Sequence, residues 1–212
     1  MTVRLTRLAP ALLCVIAATA CGRSEPEPGM IVVQPGAPGE ASQDVVADRP
    51  TPIAHTEADV AFMQGMIGHH RQALDMTALI ADRTTREDFR LLGQRITVSQ
   101  TDEIAMMEEW LRARGAEVPG PHAMHEAGAV LMPGMLSAAE MEALAAATGT
   151  EFERLFLEGM IKHHGGALTM VKDLFAQPGA GQQSEIFAFA SDVEADQSME
   201  IDRMRGVLAG LR

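Results

Sequence analysis

Two copies of a histidine–methionine motif hold the residues of this chain best suited to chemistry. The copies occupy residues 62–70 and 156–164 and match position by position. In each, a methionine precedes two adjacent histidines by three and four residues, so a helix would place all three on one face. Neutral thioether and imidazole donors suit a soft metal ion of low charge, above all Cu(I) and, by the same softness, Ag(I). The residues are Met66 with His69 and His70, and Met160 with His163 and His164.

Packing is the alternative role for such side chains. Methionine fills gaps in helical cores, and a single buried histidine needs only a hydrogen bond. Two adjacent histidines on an inner helix face are costly to desolvate, however, and a plain core would use leucine. We therefore interpret the histidine pairs and their preceding methionines as ligands. Met76 and Met170 lie on the same helix faces as the histidine pairs, and for them ligation and packing are equally supported. Met107 and Met204 lie on the inner stripes of the other two long helices, and for them ligation is favoured.

Other metal chemistries fit the motif less well. Hard cations prefer oxygen cages, and this face has few carboxylates. A di-iron bundle needs Glu-x-x-His on its helices, whereas Met66 and Ile67 stand three residues before the first histidine pair. On the facing helices, Glu103 and Glu200 have two equal interpretations: they accept from imidazole N–H groups and orient the rings, or they reach water at the flank.

A second group of potential donors lies between the two halves. His122, Met124 and His125 come first, followed by Met132-Pro133-Gly134-Met135. These accessory candidates could cap the metal site or collect metal at its entrance, and a chance concentration of loop residues explains them equally well. His55, before the first helix, receives no role.

The elements that position these residues are all helical. Apolar periodicity predicts long helices over 57–82, 86–114, 150–176 and 183–210, with a short helix over 137–147. Capping boxes mark three starts, pairing Thr84 with Glu87, Ser137 with Glu140 and Thr150 with Glu153. Two matching antiparallel hairpins with inner stripes predict an all-α four-helix bundle.

The heights of the donors along this bundle follow from the helical rise. The first and third long helices are expected to start at one end of the bundle, where the second and fourth end. Met66, Met107, Met160 and Met204 then all lie roughly 10–15 Å from that end. The four histidines of the motif then lie about one turn deeper.

The N-terminal region is expected to consist of an export signal followed by a flexible tether. Arg4 and Arg7 precede a short apolar run, and small residues lead to Cys21, as in a bacterial lipoprotein signal over 1–21. We favour lipidation of Cys21 over ordinary cleavage that leaves a free thiol. Residues 22–58 are rich in proline and glycine and predict a flexible tether, which leaves 59–212 as the duplicated metal-binding domain.

Composition limits the partners. The chain of 212 residues has a formal net charge of −12, no tyrosine and one tryptophan, but 15 methionines. An acidic chain with few aromatic residues lacks the basic footprint and stacking platforms of nucleic-acid binding. It is equally unsuited to anionic lipid headgroups, so membrane association is expected only through a lipid anchor. The expected partners are metal ions and a copper-handling protein.

The doubled motif Met-Ile-x-His-His-x-x-Ala-Leu-x-Met resembles the bacterial domain of unknown function 305 family. Residues 132–137 and 152–160 extend the resemblance, which covers about 55–210. It implies a ferritin-like four-helix bundle, exported or membrane-anchored, and copper or silver binding linked to metal tolerance. Arg203 stands where the first half has Met106, so the second half is expected to bind less metal. The resemblance implies metal-binding roles for Met66, His69, His70, Met76, Met107, Met160, His163, His164, Met170 and Met204.

Two functions from different classes follow. The first is an exported binding protein, periplasmic or on the cell surface, that sequesters or carries Cu(I) or Ag(I). The alternative is a copper- or iron-dependent oxidoreductase of the cell envelope on a ferritin-like scaffold. Methionine-rich sites hold Cu(I) strongly and cycle poorly, and the domain lacks tyrosine and a cysteine nucleophile. The sequence therefore favours binding without catalysis.

Overall fold

The computed structural model describes residues 30–47, 51–120 and 131–211. The chain divides into two compact units, Met1–Thr51 and Pro52–Arg212. Within the described residues no helix is long and apolar enough to cross a bilayer. Cys21 and the accessory candidates His122, Met124 and His125 lie outside the described residues.

The first unit contains a β-hairpin where the sequence predicted only a flexible tether. Strand β1, Met30–Gln34, pairs antiparallel with β2, Gln43–Ala47. Its side chains are almost all exposed, so the hairpin encloses no core. The stretches MIVVQ and QDVVA contain β-branched residues that favour extended backbone. The high proline and glycine content around them led to the prediction of a tether without strands.

The second unit is mostly helical, with no strand among its described residues. Its helices are close to those expected from periodicity, except that the first one is interrupted at Leu79. That residue separates a long helix from a single extra turn. The helices are α1 (Glu57–Ala78), α2 (Ile80–Arg83), α3 (Glu87–Ala113), α4 (Ala138–Ala146), α5 (Gly149–Ala176) and α6 (Ser184–Gly210).

Only one of the three expected capping boxes forms. Ser137 and Glu140 cap α4 reciprocally, as predicted. Helices α3 and α5 begin without a side-chain cap, at Arg86 and Thr148. The expected partner of Thr150, Glu153, is instead buried and accepts hydrogen bonds from Thr84 and Arg86.

A capping box that the sequence did not indicate begins α1. Thr56 accepts from the Asp59 backbone N–H, and the Asp59 carboxylate accepts from the Thr56 backbone N–H. The same carboxylate also accepts from the Gly181 N–H at 2.7 Å. One buried aspartate therefore fixes both the start of α1 and the turn between α5 and α6.

Helix α1 packs against α3 and α5, and α5 packs against α6. Phe62, near the start of α1, contacts Phe189 near the start of α6, with ring centroids 6.3 Å apart. Phe89, near the start of α3, contacts Phe156 near the start of α5, at 6.1 Å. Since α3 begins where α1 ends, α5 also begins at that end. Helices α1 and α5 therefore run in opposite directions, and the expected alignment of both hairpins in one direction is wrong.

Candidate metal centre

Four buried histidines occupy the contact between α1 and α5. The rings of His69 and His163 face each other with centroids 3.8 Å apart and planes inclined by 35°. His70 and His164 flank this pair, each about 6 Å from its sequence neighbour. All four side chains are fully excluded from solvent. Because α1 and α5 are antiparallel, the equivalent residues of the two repeats meet at this point.

Each of these rings donates a hydrogen bond from Nε2. The Nε2 of His69 donates to the Pro133 carbonyl at 3.0 Å, and that of His163 donates to the His69 carbonyl at 2.9 Å. A carbonyl oxygen can only accept, so both Nε2 atoms carry the ring proton. The neutral rings therefore present an unprotonated Nδ1.

The outer two histidines are held by carboxylates from the facing helices. His70 Nε2 lies 2.5 Å from a Glu103 oxygen, and His164 Nε2 lies 2.7 Å from a Glu200 oxygen. Of the two interpretations left open by the sequence, the structure shows the orienting contact. Ser99 also donates to Glu103 at 2.8 Å, which fixes that carboxylate in turn.

The Nδ1 atoms of all four histidines are buried and have no hydrogen-bond partner within the described structure. Buried polar nitrogens without partners are rare and costly, since each loses its hydration on folding. In metal-ligating histidines, one ring nitrogen has a free lone pair, and the other donates a hydrogen bond that fixes the ring. The residues present therefore fit a metal ion that accepts imidazole nitrogen.

The surroundings keep the central rings neutral. Burial, followed by the neighbouring His70, lowers the pKa of His69 to about 3. Burial and then the adjacent histidines also lower the pKa of His163 well below its usual value. Burial raises the pKa of Glu103, but hydrogen bonds from His70 and Ser99 outweigh it and leave the pKa lowered. The two central imidazoles can therefore bind a cation without first releasing a proton.

The methionines form two groups on either side of the histidines. Met66 and Met107 belong to a core cluster with the second half of α5, and Met170 packs against it. Met76, Met160 and Met204 belong to a second cluster with the first half of α5. We call these the first methionine cluster (Met66, Met107, Met170) and the second methionine cluster (Met76, Met160, Met204).

This division corrects the expected single layer of methionines at one end. Two antiparallel hairpins, unlike parallel ones, place equivalent residues on opposite sides of the histidine pair. All members are fully buried except Met170, which is half-buried. Each cluster also has a glycine at its wall: a Cβ on Gly159 would lie 3.2 Å from the Met76 methyl, and one on Gly65 would lie 3.4 Å from that of Met170.

The segment before α4 completes the wall of the site. It supplies the carbonyl of Pro133 to His69, and Gln72 on α1 pairs with both backbone groups of Leu136. A Cβ on Gly166 would lie 1.9 Å from the Pro133 oxygen, so only glycine allows this approach. Sequence reasoning missed the roles of Gln72 and Gly166.

The same segment brings one further sulfur to the site. A Cβ on Gly65 would lie 3.2 Å from the Met132 sulfur, next to the first methionine cluster. Across the described residues, no three His, Cys, Asp or Glu side chains are grouped as a metal site. The other soft side chains on these helices are the thioethers of the two methionine clusters.

Together the fold and the site define a mostly helical, internally duplicated protein with a buried histidine and methionine centre. The chain belongs to the DUF305 family, a domain of unknown function, whose model matches residues 59–208. The resemblance inferred from the doubled motif is therefore confirmed. A comparison with curated proteins finds no match.

Solved structures of the family are similar to this chain. A DUF305 fragment from Deinococcus radiodurans is 34% identical with a TM-score of 0.61, covering 76% of this chain and all of that one. A DUF305 protein from Streptomyces coelicolor is 30% identical with a TM-score of 0.61, covering 72% of this chain and 93% of that one. CopM in its Cu(I)-bound form is 26% identical with a TM-score of 0.57, and the match covers 72% of this chain and 96% of CopM. CopM is also solved in Cu(II)-bound and silver-bound forms.

Proposed function

We propose that this protein binds Cu(I) and Ag(I) through its buried histidines and methionines and thereby sequesters or carries the metal. The observation that carries the proposal is the set of four buried imidazoles whose Nδ1 atoms have no partner in the described structure. Each ring is already fixed through Nε2, and each methionine cluster offers thioethers nearby. Soft, neutral donors of these two kinds select Cu(I) and Ag(I) over harder ions.

We propose two equivalent half-sites within a ferritin-like four-helix bundle. Met66 lies one turn before His70, and Met160 one turn before His164, so each pair shares a helix face. Each half-site also has a carboxylate next to its outer histidine, Glu103 or Glu200, which offsets the charge of a monovalent ion. The antiparallel packing of α1 and α5 supports one half-site on each side of the central ring pair.

The relatives support the class of metal. CopM has been solved with Cu(I), Cu(II) and silver, and it matches most of this chain at 25–26% identity. We extend metal binding from CopM to this chain because the imidazoles and thioethers of this chain suit the same metals. We also propose binding without catalysis, since thioether-rich sites stabilise Cu(I) against oxidation and so oppose redox cycling.

We propose that the chain is exported and anchored by a lipid on Cys21. The proposal rests on the signal pattern over 1–21 and on the choice of thioether donors. Outside the reducing cytoplasm, thiols oxidise to disulfides, whereas thioethers form none. A periplasmic or cell-surface location would place the metal centre where incoming copper is first met, next to a copper-handling protein partner.

An anaerobic competition titration tests the function. The full chain, with Cys14 and Cys21 replaced by serine so that no thiol competes, is titrated with Cu(I) against a chelator and separately with Zn(II). Thioether ligation predicts Cu(I) affinity greater than Zn(II) affinity by at least about a hundredfold. Zn(II) binding that equals or exceeds Cu(I) binding would reject the soft-metal assignment.

A further inference from the structure

A pocket on the surface beside the first methionine cluster contains a second pair of thioethers. It has a volume of about 290 Å³ and is lined by Met63, Met106 and Trp110, with Glu109, Arg114 and Glu185 at its rim. Met63 and Trp110 are buried, whereas Met106 is 56% exposed. Neither methionine belongs to the two methionine clusters described above, although Met63 is part of the apolar core around the first of them.

The pocket has the chemistry of a soft monovalent cation site. Two thioethers supply soft donors, and the Trp110 indole beside them has an electron-rich π system, one face of which Arg114 covers. His55 packs edge-on against Trp110 with ring centroids 5.5 Å apart, which places an imidazole beside the same ring. These groups match the low coordination number that Cu(I) and Ag(I) accept.

The charges at the rim favour a cation. Arg114 lies over Trp110, 4.1 Å from the ring centroid, and forms an ion pair with Glu185. Its charge is thereby neutralised, and Glu109 adds a further negative charge to the lining. The sum of the charged groups is one negative charge, which attracts a monovalent metal ion and offers no oxygen cage for a hard one.

The pocket adjoins the apolar core that contains the first methionine cluster. Met63 lies one turn before Met66 on α1, and Met106 precedes Met107 on α3. Met63, Met66, Met107 and Trp110 belong to the same core cluster. An ion held at the surface by Met106 and Met63 therefore lies next to the thioethers of the first methionine cluster, and exchange of one thioether for another would move it inward without any redox step.

The internal repeat supplies a natural comparison. The positions equivalent to Met63, Met106 and Trp110 in the second half are Leu157, Arg203 and Val207. That half thus lacks both sulfurs and the indole, and it carries a fixed positive charge instead. The combination of two thioethers and an indole is present in one half only, so duplication of core positions does not explain it.

We propose that Met63, Met106 and Trp110 form an entry site for Cu(I) or Ag(I), through which metal reaches the first methionine cluster. The proposal rests on the proposed function for the class of metal, but the site is separate from the central histidines. The exposed Met106 lies in the same pocket as Trp110, the only tryptophan of the chain.

Because Trp110 is the only tryptophan, its fluorescence reports on this pocket directly. The full chain with Cys14 and Cys21 replaced by serine is titrated with Ag(I), and total bound metal is measured in parallel by equilibrium dialysis. Quenching of Trp110 emission is expected. Met63→Leu with Met106→Leu conserves volume and should weaken the Ag(I) affinity reported by Trp110 by about tenfold or more.

The matched control is Met199→Leu, which replaces an exposed methionine on α6 and should leave the quenching unchanged. Circular dichroism checks that each variant is folded. If the double variant is quenched like wild type, or if wild type binds Ag(I) with no response at Trp110, the entry site is wrong while the proposed function stands. If dialysis finds no bound Ag(I) in wild type, both fail.

Discussion

Acid should destabilise the metal-free fold through its buried histidines. The pKa of His69 is lowered to about 3 by burial and by the neighbouring His70, whereas an unfolded histidine has a pKa of about 6.5. Between these values the unfolded chain binds a proton that the folded chain does not, so folding stability falls as the pH falls below 6.5. At pH 5 the loss from His69 alone is about 2 kcal/mol relative to pH 8. His163, whose pKa is also lowered, adds a loss of the same sign.

Urea unfolding of the chelator-treated protein at pH 8 and pH 5 measures this loss. In His69→Gln, which has no ring to protonate, the difference between the two pH values should shrink by about 2 kcal/mol, whatever the absolute stability of the variant. If His69→Gln and wild type lose the same stability between pH 8 and pH 5, the His69 ring is not held neutral by burial and the reasoning is refuted.

Two further predictions concern the segment before α4 and the N-terminus. Gly166→Ala places a methyl group against the Pro133 carbonyl and should cost about 1–3 kcal/mol of unfolding free energy. Gly165→Ala meets nothing within 4 Å and should instead stabilise α5 by about 0.5–1 kcal/mol, so equal effects in urea unfolding would contradict the packing. Wild type should partition with membranes after expression in a bacterial host and Cys21→Ala should not; a freely soluble wild type would reject lipidation.

Much of the second unit was predictable because helices leave a periodic trace in the sequence. The long helices begin and end close to the expected residues, since apolar spacing follows the helical repeat. The donor side chains were found for the same reason: two copies of one motif make chance an unsatisfactory explanation for adjacent histidines. The metal-binding role of these side chains remains a prediction.

The relative direction of the two repeats was not predictable from the motif. A repeated hairpin presents the same apolar stripe whether its copy runs parallel or antiparallel, and the choice depends on contacts distant in sequence. Phe89 with Phe156 and Thr84 with Glu153 are such contacts. They divide the methionines into two clusters, whereas the sequence alone suggested one layer.

The hydrogen-bond partners of the buried polar side chains were equally unpredictable from the sequence. The carbonyl of Pro133 reaches His69 only because Gly166 allows the two segments to touch, and no periodicity connects these residues. Glu153 matched a capping pattern with Thr150 but bonds instead to Thr84, because a buried carboxylate needs donors from whichever element faces it. Local pattern identifies the elements and the donor types, while tertiary contacts decide which polar groups meet.

The most direct test of the central claim is the Cu(I) affinity of Met66→Leu with Met160→Leu, measured anaerobically against a competing chelator. Both methionines are fully buried, and leucine conserves their volume, so packing alone predicts a stability change under about 1.5 kcal/mol. If the thioethers are ligands in both half-sites, the folded variant should bind Cu(I) at least about tenfold more weakly than wild type. A folded double variant with wild-type Cu(I) affinity would show that Met66 and Met160 are core residues and would contradict the proposed metal centre.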